Sequence, residues 1–78
     1  MKHPMITVDP ETMLGKPVIL GTRFPVEHIL RRLSEGMTPE ELVSAYRVLT
    51  PEAIRAAQAY AADVIACEDI EYAERKTA

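Results

Sequence analysis

"GMTPEELVSAYRVLTPEAI", residues 36–54, contains two helix starts twelve residues apart, and the break between them decides the fold. Thr38 stands where an N-cap hydroxyl is needed, and Pro39 suits the first helical position, whose N–H has no acceptor inside the helix. Glu41, three residues after the cap, completes a capping box. Leu42, Ala45, Tyr46 and Leu49 supply an apolar stripe, which predicts a helix of about ten residues. Thr50-Pro51-Glu52 then repeats the start signal. Ile54, Ala57, Ala61, Val64 and Ile65 form the next stripe, and neither Gly nor Pro follows Pro51. The spacing predicts a long third helix reaching Tyr72 or beyond, helped by the high helix propensity of its alanines.

Upstream of this stretch, Val26, Ile29, Leu30 and Leu33 fall at i, i+3, i+4 and i+7, with Gly36 where a left-handed C-cap belongs. These features predict a first helix. Three helices with short links, the second and third meeting at a sharp break, suggest a helix-turn-helix bundle. A plain three-helix scaffold produces the same periodicity.

Before Pro25 the signals change to strands and turns. "MITV", residues 5–8, is short and β-branched, while "PVIL" and "RF" flank Gly21-Thr22. Gly21 in the first position of a two-residue turn fits a type II′ hairpin, which requires positive φ there. Leu20 would then oppose Arg23, and Ile19 would oppose Phe24. Both faces of such a ribbon are apolar, and an isolated hairpin is marginal in water. One face is expected on the helices; the other, with residues 5–8, is expected against a second copy of the chain. Pro17 and Pro25 bracket the ribbon because neither has an N–H to donate. Arg23 is left to pair with a carboxylate across the dimer, Asp9 or Glu11.

The 78 residues allow one domain with a thin core. A core of this size contributes about 3 to 5 kcal/mol, so such chains usually need a staple or a partner. Cys67 is the single cysteine, so no intrachain disulfide forms, and His3 and His28 make no metal-ligand spacing with it. No run approaches a membrane span, and the first ten residues have no apolar run or cleavage signal. The expected setting is cytoplasmic, with no membrane partner and no cofactor.

Gly15-Lys16 is not a phosphate loop: Pro17 takes the place of the required Ser or Thr, and no helix begins there. Ser34 and Ser44 lie in helical segments, and Cys67 has no histidine nearby in sequence. No enzymatic activity is expected. Residues 1–36 have five basic against four acidic side chains, and residues 37–78 have four against eight. The acidic second half could suit a basic partner, although a solvated acidic helix surface is the commoner reason for such a balance.

A DNA-binding reading would place the third helix in the major groove. Arg55 is the candidate for phosphate or guanine, Gln58 for an adenine edge, and Arg47 with Thr50 for the backbone. Glu52 and the low count of basic residues oppose it, since affinity comes mainly from phosphate neutralisation. The tail "CEDIEYAERKTA", residues 67–78, sets Ile70 and Tyr72 among acidic residues. It reads either as a frayed, solvated helix end or as an arm that folds onto a partner, with Glu68, Asp69, Ile70 and Tyr72 as the contacts.

The pattern "GKPVILGTRFPVEHIL", "EGMTPEELVSAY" and "LTPEAIRAAQAYAA", covering about residues 6–62, resembles the domain of unknown function 433 family. The resemblance implies a mainly α, homeodomain-like three-helix module with a short amino-terminal β element that pairs in a homodimer. It further implies an antitoxin of a type II toxin-antitoxin pair, bound to a PIN-like ribonuclease toxin and acting on operator DNA. Gly15, Lys16, Pro17, Gly21, Thr22 and Arg23 would belong to the signature β element, with Ile6, Val8, Val18 and Leu20 as its apolar positions. The expected organisation is a β element over residues 1–25, a bundle over 26–66 and an acidic arm over 67–78, all in one domain.

Overall fold

The computed structural model describes the backbone of residues 2–11 and 15–77, and the side chains of those residues as far as Cys67. In chain order it has β1 (Ile6–Val8), β2 (Pro17–Ile19), α1 (Val26–Ser34), α2 (Pro39–Ala45) and α3 (Pro51–Thr77). The fold is mainly helical: three helices with a short two-stranded antiparallel sheet at the amino-terminal end.

Both helix starts in residues 36–54 form. The Thr38 hydroxyl accepts the Glu41 N–H at 3.1 Å, and the Glu41 carboxylate accepts the Thr38 N–H at 2.8 Å. Thr50 caps α3, its hydroxyl accepting the Ala53 N–H at 3.1 Å. Gly36, at φ 100°, ends α1: its N–H returns to the Leu33 carbonyl at 3.0 Å, and that of Met37 to Arg32 at 3.1 Å. This pair of bonds is a Schellman motif, open to glycine because the left-handed position costs it nothing.

α2 is shorter than its stripe suggests. Tyr46 adopts an extended conformation, φ −124° and ψ 111°, and the Leu49 N–H closes a turn on the Tyr46 carbonyl at 3.0 Å. Leu49 therefore reaches the core from the turn, and Ala45, expected to be buried, is exposed. The core gathers Ile19, Val26, Ile29, Leu42, Leu49, Ala53, Ile54 and Ala57. α3 packs on α1 and α2 and supports β1, while α1 packs on β2.

The ribbon differs from its expected form in two respects. Residues 5–8 do not wait for a second copy to find a backbone partner: β1 pairs with β2 in the same chain, Ile6 opposite Ile19, Thr7 opposite Val18 and Val8 opposite Pro17. On its other edge β2 has the expected register, with the Ile19 N–H on the Phe24 carbonyl at 3.0 Å, but only a single bridge, Val18 to Pro25, forms there. The turn is also displaced by one residue. Thr22 N–H bonds the Ile19 carbonyl at 3.0 Å, so Gly21, at φ 80°, occupies the third turn position, where a type II turn requires positive φ. Flanked by Thr7 and Pro25, Val18 is 2% exposed rather than open on an outer face.

Candidate partner-binding surface

The signature residues of the ribbon act mainly as architecture. Thr22 Oγ1 donates to the Ile19 carbonyl at 2.8 Å and accepts the Phe24 N–H at 2.9 Å, which holds the turn shut. Gly15 has φ 77°. Lys16 Nζ donates to Glu27 Oε1 at 3.1 Å, tying the start of β2 to α1, and Arg31 approaches the other oxygen of Glu27 at 3.2 Å. These two cations, Lys16 foremost, hold the Glu27 carboxyl below its ordinary range. Arg23 is exposed and makes no ion pair among the described residues.

Phe24 turns inward to a cluster that the sequence did not signal. Its ring meets Tyr46 at 4.9 Å and His28 at 5.1 Å, edge to face, and His28 meets Tyr46 at 5.8 Å. The turn is thereby clamped to α1 and to the end of α2. The only sequence trace is the four-residue spacing of Phe24 and His28; Tyr46, expected on the apolar stripe, packs half-buried against the core from just beyond α2. His3 is a second unsignalled contact, its Nε2–H donating to the Asp63 carboxylate at 2.8 Å while its ring rests edge-on against Tyr60 at 5.3 Å.

The nucleic-acid candidates divide. Arg55 and Gln58 line one cleft of about 390 Å³ between the first turns of α2 and α3, with Glu40, Val43 and Ile54. Glu52 stands 3.7 Å from Arg55. Arg47 is exposed in the turn after α2, away from that lining, and the Thr50 hydroxyl is engaged as a cap. The cleft thus combines one guanidinium and one amide with two nearby carboxylates, a poor setting for phosphate.

A more apolar groove runs between β2, α1 and α3. Pro17, Val26, Leu30, Tyr60, Ala61, Val64 and Ile65 line it, with Glu27 at its edge. Along α3 the burial predicted for the whole stripe ends early. Ala57 is fully buried and Ala61 half-buried, while Val64 and Ile65 are 36% and 60% exposed. The helix nonetheless continues to Thr77. Of the four arm residues, Glu68, Asp69, Ile70 and Tyr72, the backbone is helical; their side chains lie outside the described residues.

A family model described as protein of unknown function (DUF433) matches residues 6–61. The chain belongs to the DUF433 family. The match covers both strands and all three helices as far as Ala61, including the ribbon, the aromatic clamp and the helical core. A crystal structure of a DUF433 member from Anabaena variabilis is similar, with a TM-score of 0.74 and 30% identity, over 88% of this chain and 68% of that one. An uncharacterized protein of Sinorhizobium fredii, y4eO, is 35% identical over 57 residues, 73% of this chain. The DUF433 chain corresponds to 26% of that relative's length.

Proposed function

We propose that this DUF433 chain is a binding protein of the antitoxin type, a homodimer that holds a PIN-like ribonuclease through the part of α3 that outruns its core. One observation supports the reading above others: α3 extends to Thr77 although, among the described residues, its last fully buried one is Ala57, and beyond it Val64 and Ile65 are presented to solvent. A helix that leaves part of an apolar face open to solvent is a ready partner-binding element. Residues 67–78 add Glu68, Asp69, Glu71 and Glu74. Such a segment complements a nuclease groove that attracts RNA and metal ions, and inhibition would follow from occlusion.

The reading is of a binder rather than a catalyst. The Ser34 hydroxyl is turned back onto the Arg31 carbonyl of its own helix at 2.7 Å, and Cys67 is an exposed thiol on α3. The experiment is co-expression with the product of the neighbouring gene, followed by size-exclusion chromatography. The full chain is expected to co-elute with it and a chain truncated after Ala66 to elute alone; no complex with the full chain removes the proposal.

A second reading, a DNA-binding regulator, draws on Arg55 and Gln58 sharing one cleft. It requires a salt-sensitive mobility shift with the DNA upstream of the gene, weakened by Arg55→Ala. Glu40 and Glu52 at that cleft make it the lesser of the two.

A further inference from the structure

We propose that the surface around the Phe24, His28 and Tyr46 clamp binds a short unpaired stretch of nucleic acid, with bases stacked on its open aromatic surface and phosphates taken by Arg23 and Arg47. The site shares no residue with the second half of α3 or with the Arg55 cleft, so it stands apart from both readings above.

Two turns meet at the clamp. The first runs from Ile19 to Thr22, closed by the Thr22 N–H on the Ile19 carbonyl, and the Thr22 hydroxyl then fixes Phe24 by accepting its N–H at 2.9 Å. The second runs from Tyr46 to Leu49, closed at 3.0 Å, with Arg47 and Val48 at its two central positions. The 4.9 Å contact of the Phe24 and Tyr46 rings joins them. Arg23 precedes one ring and Arg47 follows the other, so each guanidinium starts one residue, about 3.8 Å along the chain, from a partner in that contact. Both arginines are exposed, and neither enters an ion pair among the described residues.

Two arginines alone do not select nucleic acid; the rings beside them do. Phe24 and Tyr46 are half-buried against the core, while His28, 5.1 Å from one and 5.8 Å from the other, is exposed. Unpaired bases stack on histidine, tyrosine and phenylalanine rings. Paired bases are stacked on one another and show only their edges in the grooves, so an aromatic surface discriminates against a duplex. Arginine complements the rings, because its planar fork matches phosphate oxygens. Val48, 52% exposed next to Arg47, adds apolar surface.

The local charge agrees. His28 shares a hollow of about 220 Å³ with Lys16, Glu27 and Arg31. Both cations are bound to the one carboxylate, Lys16 at 3.1 Å and Arg31 at 3.2 Å, which leaves that hollow net positive. A strand leaving His28 on this side therefore meets no net repulsion. The chain as a whole has a net charge of −3, so long-range attraction is missing and the affinity is that of a few local contacts.

The test uses the full chain and fluorescence anisotropy at low salt with a labelled oligouridine about twelve nucleotides long. Oligodeoxythymidine of the same length is the second probe, and the tighter of the two names the sugar that the site accepts. A duplex of that length should bind more weakly than either strand. Arg23→Ala and Arg47→Ala should each lower the affinity and flatten its log–log dependence on salt by about 0.7, the amount per phosphate on a single strand. His28→Ala should lower the affinity about tenfold and leave the salt slope nearly unchanged. All three side chains are exposed, so circular dichroism should show the fold retained. Arg55→Ala should bind as the wild type does. Failure of both single strands to bind would overturn the proposal, as would a duplex or an oligoglutamate of equal charge that binds as tightly, because the rings would then read nothing. Loss at Arg55 with no loss at Arg23 or Arg47 would move the contact to the cleft. A dimer that light scattering shows to be lost on Arg23→Ala would return that residue to a carboxylate across the dimer, again against the proposal. Nuclease capture is judged separately by co-elution.

Discussion

The Thr22 hydroxyl sits between the Ile19 carbonyl and the Phe24 N–H, 2.8 Å from one and 2.9 Å from the other, and so spans the turn that the backbone bond closes beneath it. One small side chain fixes both the start and the exit of this turn. Thr22→Val keeps the shape and removes both bonds, so it should cost about 1 to 2 kcal/mol, read as a lower urea midpoint at unchanged slope. Thr22→Ser should recover most of the loss. An unchanged midpoint for the valine variant would mean that the hydroxyl is not holding the turn.

Gly21 separates strain from crowding. Its φ is +80°, yet a Cβ built there meets nothing within 4 Å. Gly21→Ala should therefore lose stability by about 1 to 2 kcal/mol through the left-handed backbone alone, with no change in the core. Thermal unfolding of Gly21→Ala beside Gly21→Asn tests this, since asparagine tolerates that region better than alanine. Equal melting temperatures for the two variants would contradict it.

The two ends of the α3 stripe should respond differently. Ile54, 1% exposed, lies in the core, and Ile54→Ala is expected to cost about 2 to 5 kcal/mol. That is comparable with what a core of this size contributes, about 3 to 5 kcal/mol, so the variant should lack a cooperative melt. Ile65→Ala, at a residue 60% exposed, should leave the stability of the single chain almost unchanged. Denaturant titration at low protein concentration compares the two without a contribution from association.

The ion pairs at Glu27 carry a pH dependence. Lys16, and then Arg31, lower its pKa from the ordinary 4.5 in the folded chain. A folded value below the unfolded one means that the contribution is present above about pH 4.5 and is lost as the pH falls through the folded value. Stability measured against pH should decline on the acid side, and Glu27→Gln should lack this part of the decline, meeting the wild type at low pH. The side chain is exposed, so the effect should be small and shrink with added salt. A Glu27→Gln profile parallel to the wild type throughout would refute the assignment.

Local chemistry was legible in the sequence, and contacts distant along the chain were not. Thr38, Glu41, Thr50 and Gly36 announce their caps because a cap depends on residues within a few positions of it. Pairing Ile19 with Phe24 was legible for the same reason, although the turn moved by one residue when the Thr22 hydroxyl took the Ile19 carbonyl. The length of α2 was overread because Ala45 and Leu49 match a helical period, whereas Leu49 enters the core from a turn. The burial of Val18, the Lys16 to Glu27 bond and the Phe24, His28 and Tyr46 clamp depend on which segments meet, and periodicity contains no such information. The end of burial along α3 belongs to the same class. Its stripe continues beyond Ala57, but the helices available to cover it are too short.

The contact between His3 and Asp63 joins positions sixty residues apart. On a ribosome the first strand is made well before the helix that supports it. Until Asp63 has left the exit tunnel, β1 lacks the helix that supports it, and short strands without that cover are marginal. The amino-terminal strand therefore docks only after α3 has emerged, and a chain stalled before α3 would expose the apolar residues that α3 encloses.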